Sequence, residues 1–181
     1  MKPNSVMNVW ILCVGATLVA SCRGVEPVNA ARAAAASADV VRAQTVALLE
    51  EVARHLCQQD RSALEALSVT EDEYRNIVLP GSVAIGERPA RMPAEKVEFF
   101  TRLHRTKSAY GLAALLPACT MGGLTFRRAE VPETLEQRGG YTLIREPRLV
   151  FADAQGSEVV LDPGLVVYFD GKAKILSYHS D

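Results

Sequence analysis

Apolar positions recur along this chain with two periods in turn, first that of a helix and then that of a strand. Val41, Thr45, Leu48, Val52 and Leu56 follow one another at spacings of four, three, four and four, and Val40, Leu49 and Ala53 widen the same face. Arg42, Glu50, Glu51 and Arg54 fall on the other side. This pattern predicts a long amphipathic helix over roughly Asp39 to Gln58. Asp60 then offers an N-cap to a short helix carrying Leu64 and Leu67. Thr70-Glu71-Asp72-Glu73 fits a capping box, in which the threonine hydroxyl and the Glu73 carboxylate satisfy each other's backbone amides. The helix it opens runs through Tyr74, Ile77 and Val78 and is expected to stop near Leu79, because Pro80 disfavours helix in the residue before it. Pro80 to Pro93 reads as an irregular loop. From Ala94 to about Leu116 the helical period returns, with Phe99, Leu103, Thr106, Tyr110 and Ala113 forming the apolar stripe and Val97 and Phe100 beside it. Gly111 weakens its middle, and Pro117, Gly122 and Gly123 close the helical half.

Strands follow. Leu124 to Arg128 is one, and Tyr141 to Ala152 is a longer one in which Pro147 demands an edge position or a bulge. Asp153 to Gly156 turns the chain, and Glu158 to Phe169 returns with a break at Pro163-Gly164. Asp170-Gly171 is a two-residue hairpin signal, after which Lys172 to Tyr178 closes the meander. Helices first and an antiparallel meander second define an α+β domain. A single curved sheet wrapped around the long helix would bury both apolar faces.

The first residues obey a different pattern. Lys2 precedes an almost wholly apolar run from Val6 to Val19, which Ala20-Ser21-Cys22 closes. A positive start, a short greasy run and small residues before a cut site make an export signal. The run is short for a membrane span, which needs about 20 residues. Leu18-Val19-Ala20-Ser21-Cys22 resembles the lipobox of bacterial lipoproteins, and the resemblance implies cleavage before Cys22 and lipidation of that cysteine. A plain secretory signal or an uncleaved anchor are the other readings. Three segments follow: a signal peptide over 1–21, an alanine-rich tether over 22–38, and one α+β domain over 39–181. Arg23, where an aspartate would favour the inner membrane, implies an outer-membrane protein facing the periplasm if the host is Gram-negative.

Composition narrows the picture. Cleavage takes 21 of 181 residues and leaves 160, enough for one domain with a substantial core. The leader carries Lys2 and no acid, so the mature chain has 19 basic and 21 acidic side chains, a balance that gives no footprint for nucleic acid. Of Cys13, Cys22, Cys57 and Cys119, only the last two remain for the fold. Export puts them in an oxidising compartment, where they form either a disulfide or two separate buried thiols. The sequence holds no CxxC and no Cys/His cluster, so no metal site and no cofactor are expected.

The long first helix, Thr70-Glu71-Asp72-Glu73-Tyr74 ending at Pro80, the third helix and the closing run Phe169-Asp170-Gly171-Lys172-Ala173-Lys174-Ile175-Leu176-Ser177-Tyr178 together resemble the nuclear transport factor 2-like superfamily. These cone-shaped α+β domains include ketosteroid isomerase and polyketide cyclases. The resemblance implies a pocket inside the cone, used for catalysis by some members and for binding or dimerisation by others. The isomerase's acid and tyrosine have no assignable counterparts among Tyr74, Tyr110, Tyr141 and Tyr168.

Candidate chemistry is sparse. His55 sits at an edge of the first helix, where a surface or capping role suits it. His104 borders the apolar stripe and, with Tyr110, is a candidate pocket-lining residue. His179 lies three residues from the end. Glu71, Asp72 and Glu73 suit a helix start, where negative charge meets the positive end of the dipole. Arg102, Arg105 and Lys107 make a basic helix face, solvated by default, which a tethered domain could use against anionic headgroups. No nucleophile elbow, phosphate loop or dinucleotide fingerprint occurs in the sequence. The expectation is therefore a lipid-anchored envelope protein whose domain binds a small apolar ligand or an envelope protein without a catalytic residue. A small hydrolase or isomerase and a structural envelope component are the alternatives.

Overall fold

The structure is a computed structural model that describes residues 36–82 and 92–178. Cys22, the leader, most of the tether and His179 lie outside the described residues. Among the described residues, six α-helices and one π-helical segment precede seven strands: α1 (Ala38–Gln58), α2 (Arg61–Ala66), α3 (Glu71–Glu73), α4 (Leu79–Ser82), α5 (Ala94–Leu115), α6 (Ala118–Met121), then β1 (Thr125–Glu130), β2 (Glu136–Gln137), β3 (Thr142–Ile144), β4 (Arg148–Ala152), β5 (Glu158–Leu161), β6 (Leu165–Phe169) and β7 (Lys172–Ser177). The fold is α+β, with helices packed on antiparallel sheets.

The expected periodicity sets α1. Val41, Thr45, Leu48, Leu49, Val52, Ala53 and Leu56 are its buried residues. Ser37 accepts the Val40 amide at the N-cap, and Gln59 adopts a left-handed φ of 54° at the other end. Thr45 is buried at no cost in unpaired polar groups, because its hydroxyl donates to the Val41 carbonyl at 2.8 Å. The disulfide Cys57–Cys119 fastens the end of α1 to α6, with a Cα–Cα distance of 5.1 Å.

Two elements depart from expectation. The helix begun at the Thr70 capping box does not stop at Leu79. It widens into a π-helical segment, Tyr74–Val78, and passes through Pro80 into α4. The Leu79 amide reaches back five residues to the Tyr74 carbonyl. A wider turn there accommodates a ring that has no amide to give and would collide with a normal turn.

The second departure is the register of α5. Its stripe of Phe99, Leu103, Thr106, Tyr110 and Ala113 faces outward, with Phe99 53% and Tyr110 76% exposed. The inward side instead carries Val97, Thr101, His104, Ser108, Leu112 and Leu115. Hydrogen bonds to backbone, one local and one from a residue distant in sequence, explain the inversion. Thr101 is 1% exposed, yet its hydroxyl donates to the Val97 carbonyl, and Ser108 Oγ accepts the Tyr178 amide. Short polar side chains that satisfy themselves against nearby backbone can be buried, so polarity alone misassigned the face.

The single expected sheet is two ladders, β1-β4-β5 and β2-β3-β6-β7. Their common origin is visible in the register. Ile144 faces Val166, and five residues further on Leu149 faces Leu161, five residues back. One long hairpin therefore keeps its register across an interruption at Arg145–Pro147 and Asp162–Gly164. The neighbouring strand breaks at the same level, between Glu130 and Glu136. Each interruption contains a proline, Pro132, Pro147 or Pro163, which has no amide for a ladder bond. Glu146 and Gly164 take positive φ there, 54° and 94°. The crease lets both ladders reach α1: Phe126, Leu149 and Phe151 from one and Ile144, Val166, Tyr168 and Ile175 from the other share its apolar cluster. The opposite face of the four-stranded ladder is covered too. Leu143, Val167, Phe169 and Leu176 pack against Tyr74, Ile77 and Val78, which accounts for the unbroken apolar run of β6.

Candidate functional site

The capping box opens the site. Glu73 donates its amide to Thr70 Oγ1 at 3.2 Å and accepts the Thr70 amide at 2.8 Å. The same carboxylate accepts two hydrogen bonds from Lys174 Nζ, at 2.6 and 2.8 Å, which ties the helix start to β7. Burial raises the Glu73 pKa, but the bonds from Lys174 and Thr70 outweigh it and hold the carboxyl below its ordinary value. Glu71 pairs with Arg75 at 2.6 Å and Arg105 at 3.3 Å. The acidic triplet thus serves the helix start and its neighbours, and no metal-holding cluster occurs among the described residues.

So anchored, Tyr74 lies against α5, where its ring stacks on His104 with centroids 4.1 Å apart and planes 6° from parallel. Two clefts adjoin this pair, and both rings line both. The first, about 280 Å³, is rich in hydroxyls and acids: Glu65, Ser68, Thr70, Glu71, Thr101 and Ser108 line it beside Tyr178. Tyr178 donates to the Leu64 carbonyl at 2.6 Å, and burial pushes its phenol well above the ordinary range.

The second cleft, about 310 Å³, differs in chemistry. Val78, Leu143, Leu165 and Leu176 give it an apolar floor with Phe100 and Leu103 beside it, the buried Tyr141 and Ser177 add polar groups to the lining, and the exposed Lys107, Arg138 and Arg145 stand at its rim. Among the described residues that line it, none is a carboxylate. Glu136 stands behind the rim, accepting from Arg138 Nη2 at 2.6 Å and Arg145 Nε at 2.7 Å. These bonds fix both guanidinium groups and hold the Glu136 carboxyl below its ordinary pKa. Two arginines against one glutamate leave that trio with one net positive charge. Burial raises the Tyr141 phenol, an effect that Arg138 and Arg145 partly offset. An apolar floor under a cationic rim suits a molecule with an apolar body and an anionic end.

Of the two expected lining residues, His104 lies at the centre of the site, whereas Tyr110 points outward and lines neither cleft. Burial drives the His104 pKa down to about 4, so the ring is neutral at physiological pH. A ring stack holds it; among the described residues no carboxylate bonds to it. His55 lies elsewhere, its Nδ1 3.8 Å from Asp60, too far for a hydrogen bond. Tyr74 and Tyr141, to which the sequence assigns no role, line the second cleft together with Arg138 and Arg145. The capping box that opens four residues upstream at Thr70 is the one local signal that places Tyr74, and the arginines carry none.

No family model, no curated protein and no solved structure matches this chain.

Proposed function

We propose that this chain is an exported lipoprotein of the cell envelope whose single α+β domain, residues 39–181, binds a small amphipathic ligand. The observation that carries the ligand reading is the second cleft, with its apolar lining, the exposed Arg138 and Arg145 at its rim, and no carboxylate among the described residues that line it. The leader from Val6 to Val19 and the lipobox-like Leu18–Cys22 support the anchor. Arg23, following a lipidated Cys22, favours a periplasm-facing outer-membrane site in a Gram-negative host. The creased meander around α1 is compatible with a cone of the nuclear transport factor 2-like kind, which we keep as a proposal about ancestry.

Titrating the processed protein calorimetrically with octanoate, octanol and acetate tests the ligand class. Octanoate should bind saturably, octanol more weakly and acetate not at all. Absence of octanoate binding, or equal affinity for octanol, would overturn it. The anchor is tested separately: Cys22→Ser should release the protein from membranes into the soluble fraction, and unchanged partitioning refutes lipidation.

One observation favours a second reading. A neutral, half-buried histidine opening on two clefts is the kind of perturbed group found at catalytic sites. His104 could take a proton from a bound nucleophile, although no carboxylate among the described residues orients it. Hydrolysis of a p-nitrophenyl octanoate ester that His104→Gln abolishes would favour this reading. A rate unchanged by the substitution ends it.

A further inference from the structure

A helix in a folded domain ordinarily turns its apolar stripe inward, and α5 turns its stripe out. Phe99, Leu103 and Tyr110 are 53%, 39% and 76% exposed, and Thr106 and Ala113 continue the line at spacings of three and four. At 100° per residue, Lys96 and Lys107 follow one margin of this stripe and Arg102 the other, all three exposed. Glu95 enters the face at its first turn, while Glu98, further round, is bonded to Arg75. Aromatic and aliphatic groups between two cationic margins make the pattern of a helix that lies in a membrane interface.

We propose that this outward face of α5 seats on the anionic surface of the membrane to which the chain is tethered. The inference rests on the anchored reading above. Two facts favour a lipid surface over a second copy of the chain. A self-complementary pairing of this face would set Lys96 and Arg102 of each copy near those of the other, whereas anionic headgroups meet them favourably. The chain from Arg23 to Ser37 has 15 residues and spans at most about 50 Å when fully extended. A lipidated Cys22 would therefore hold the domain within reach of the bilayer at all times, and a weak surface attraction suffices. Phe100, Leu103 and Lys107 also line the second cleft, so a docked α5 brings that cleft's mouth beside the lipid.

The chain's one tryptophan, Trp10, belongs to the leader, so a probe can be installed cleanly. Full-length Trp10→Phe/Tyr110→Trp protein, processed in the host, is reconstituted in vesicles of phosphatidylglycerol and phosphatidylcholine whose acyl chains carry bromine. Docking predicts quenching of the residue-110 fluorescence. Quenching should be lost in pure phosphatidylcholine, in 0.5 M salt, where screening shrinks to about 4 Å, and in Lys96→Gln/Arg102→Gln protein. These changes lie on exposed residues outside both clefts, so folding and octanoate binding should persist. Flotation in high salt reads the anchor independently. Protein that floats with the vesicles yet stays unquenched overturns the docking proposal, as does a concentration-dependent dimer that buries the probe. Protein that fails to float refutes the anchor instead.

Discussion

The disulfide is where a single perturbation has the most calculable effect. Cys57 closes α1 and Cys119 lies in α6, with a sequence separation of 62. Releasing that loop in the unfolded chain returns roughly 4 kcal/mol of conformational entropy at 25 °C in the chain-entropy treatment. The bridge links the helix around which the core forms to the turn leading into the strands, and Cys119 is 3% exposed. Native packing should therefore survive its loss while the equilibrium shifts. A domain of this size has a net stability of about 5–15 kcal/mol, so the reduced form should remain folded but marginal. Tm should fall by about 10 °C, since 1 kcal/mol corresponds to roughly 2–4 °C here. Cys57→Ala/Cys119→Ala protein, melted beside the wild type by circular dichroism in urea and in heat, measures this. Two reactive thiols in the unreduced, unfolded wild-type domain would refute the pairing. A double variant as stable as the wild type would refute the energetic argument.

Other outcomes follow from particular contacts. Leu56, fully buried on α1, should cost about 2–5 kcal/mol as Leu56→Ala, while Phe99→Ser on the exposed stripe should fall within about 0.5 kcal/mol of neutral, both read from urea midpoints. A Cβ on Gly81 would lie 2.7 Å from Tyr141 Cε1, so Gly81→Ala should displace that ring, destabilise the domain by about 1–3 kcal/mol and weaken octanoate binding in the calorimeter. Glu73 titrates below its ordinary 4.5 in the fold; its contribution is complete above that value and disappears as pH falls through the lower folded one, so Lys174→Met should flatten the acid limb of a Tm–pH profile. His104 works over a different window. Its folded pKa of about 4 lies below the ordinary 6.5, so the unfolded chain binds more protons between them, and stability falls as pH drops from 6.5 towards 4. His104→Gln should remove that slope, and an unchanged slope would refute the burial of a neutral imidazole.

Much of the architecture was written in the local pattern. The α1 stripe, the Thr70 capping box and the Asp170-Gly171 hairpin each rest on short-range chemistry, so residue types alone locate them. What the chain hides is decided by partners distant in sequence. Pro147 and Pro163 announce an interruption in each strand, but only their opposition in one register turns two interruptions into a crease. Thr101 and Ser108 look like surface residues until backbone groups nearby satisfy their hydroxyls, and for that reason the face of α5 was inverted. The cleft is the least legible part. Its rim comes from α5 and from Arg138 and Arg145, which flank β3, and Glu136 fixes both arginines across a pairing that no spacing rule anticipates.

A crystal structure of the processed protein grown with octanoate bears most directly on the binding proposal. The alkyl chain should lie over Leu143, Leu165 and Leu176, with the carboxylate at Arg138 and Arg145. An empty cleft at saturating octanoate, or one filled by the protein's own chain, would contradict it.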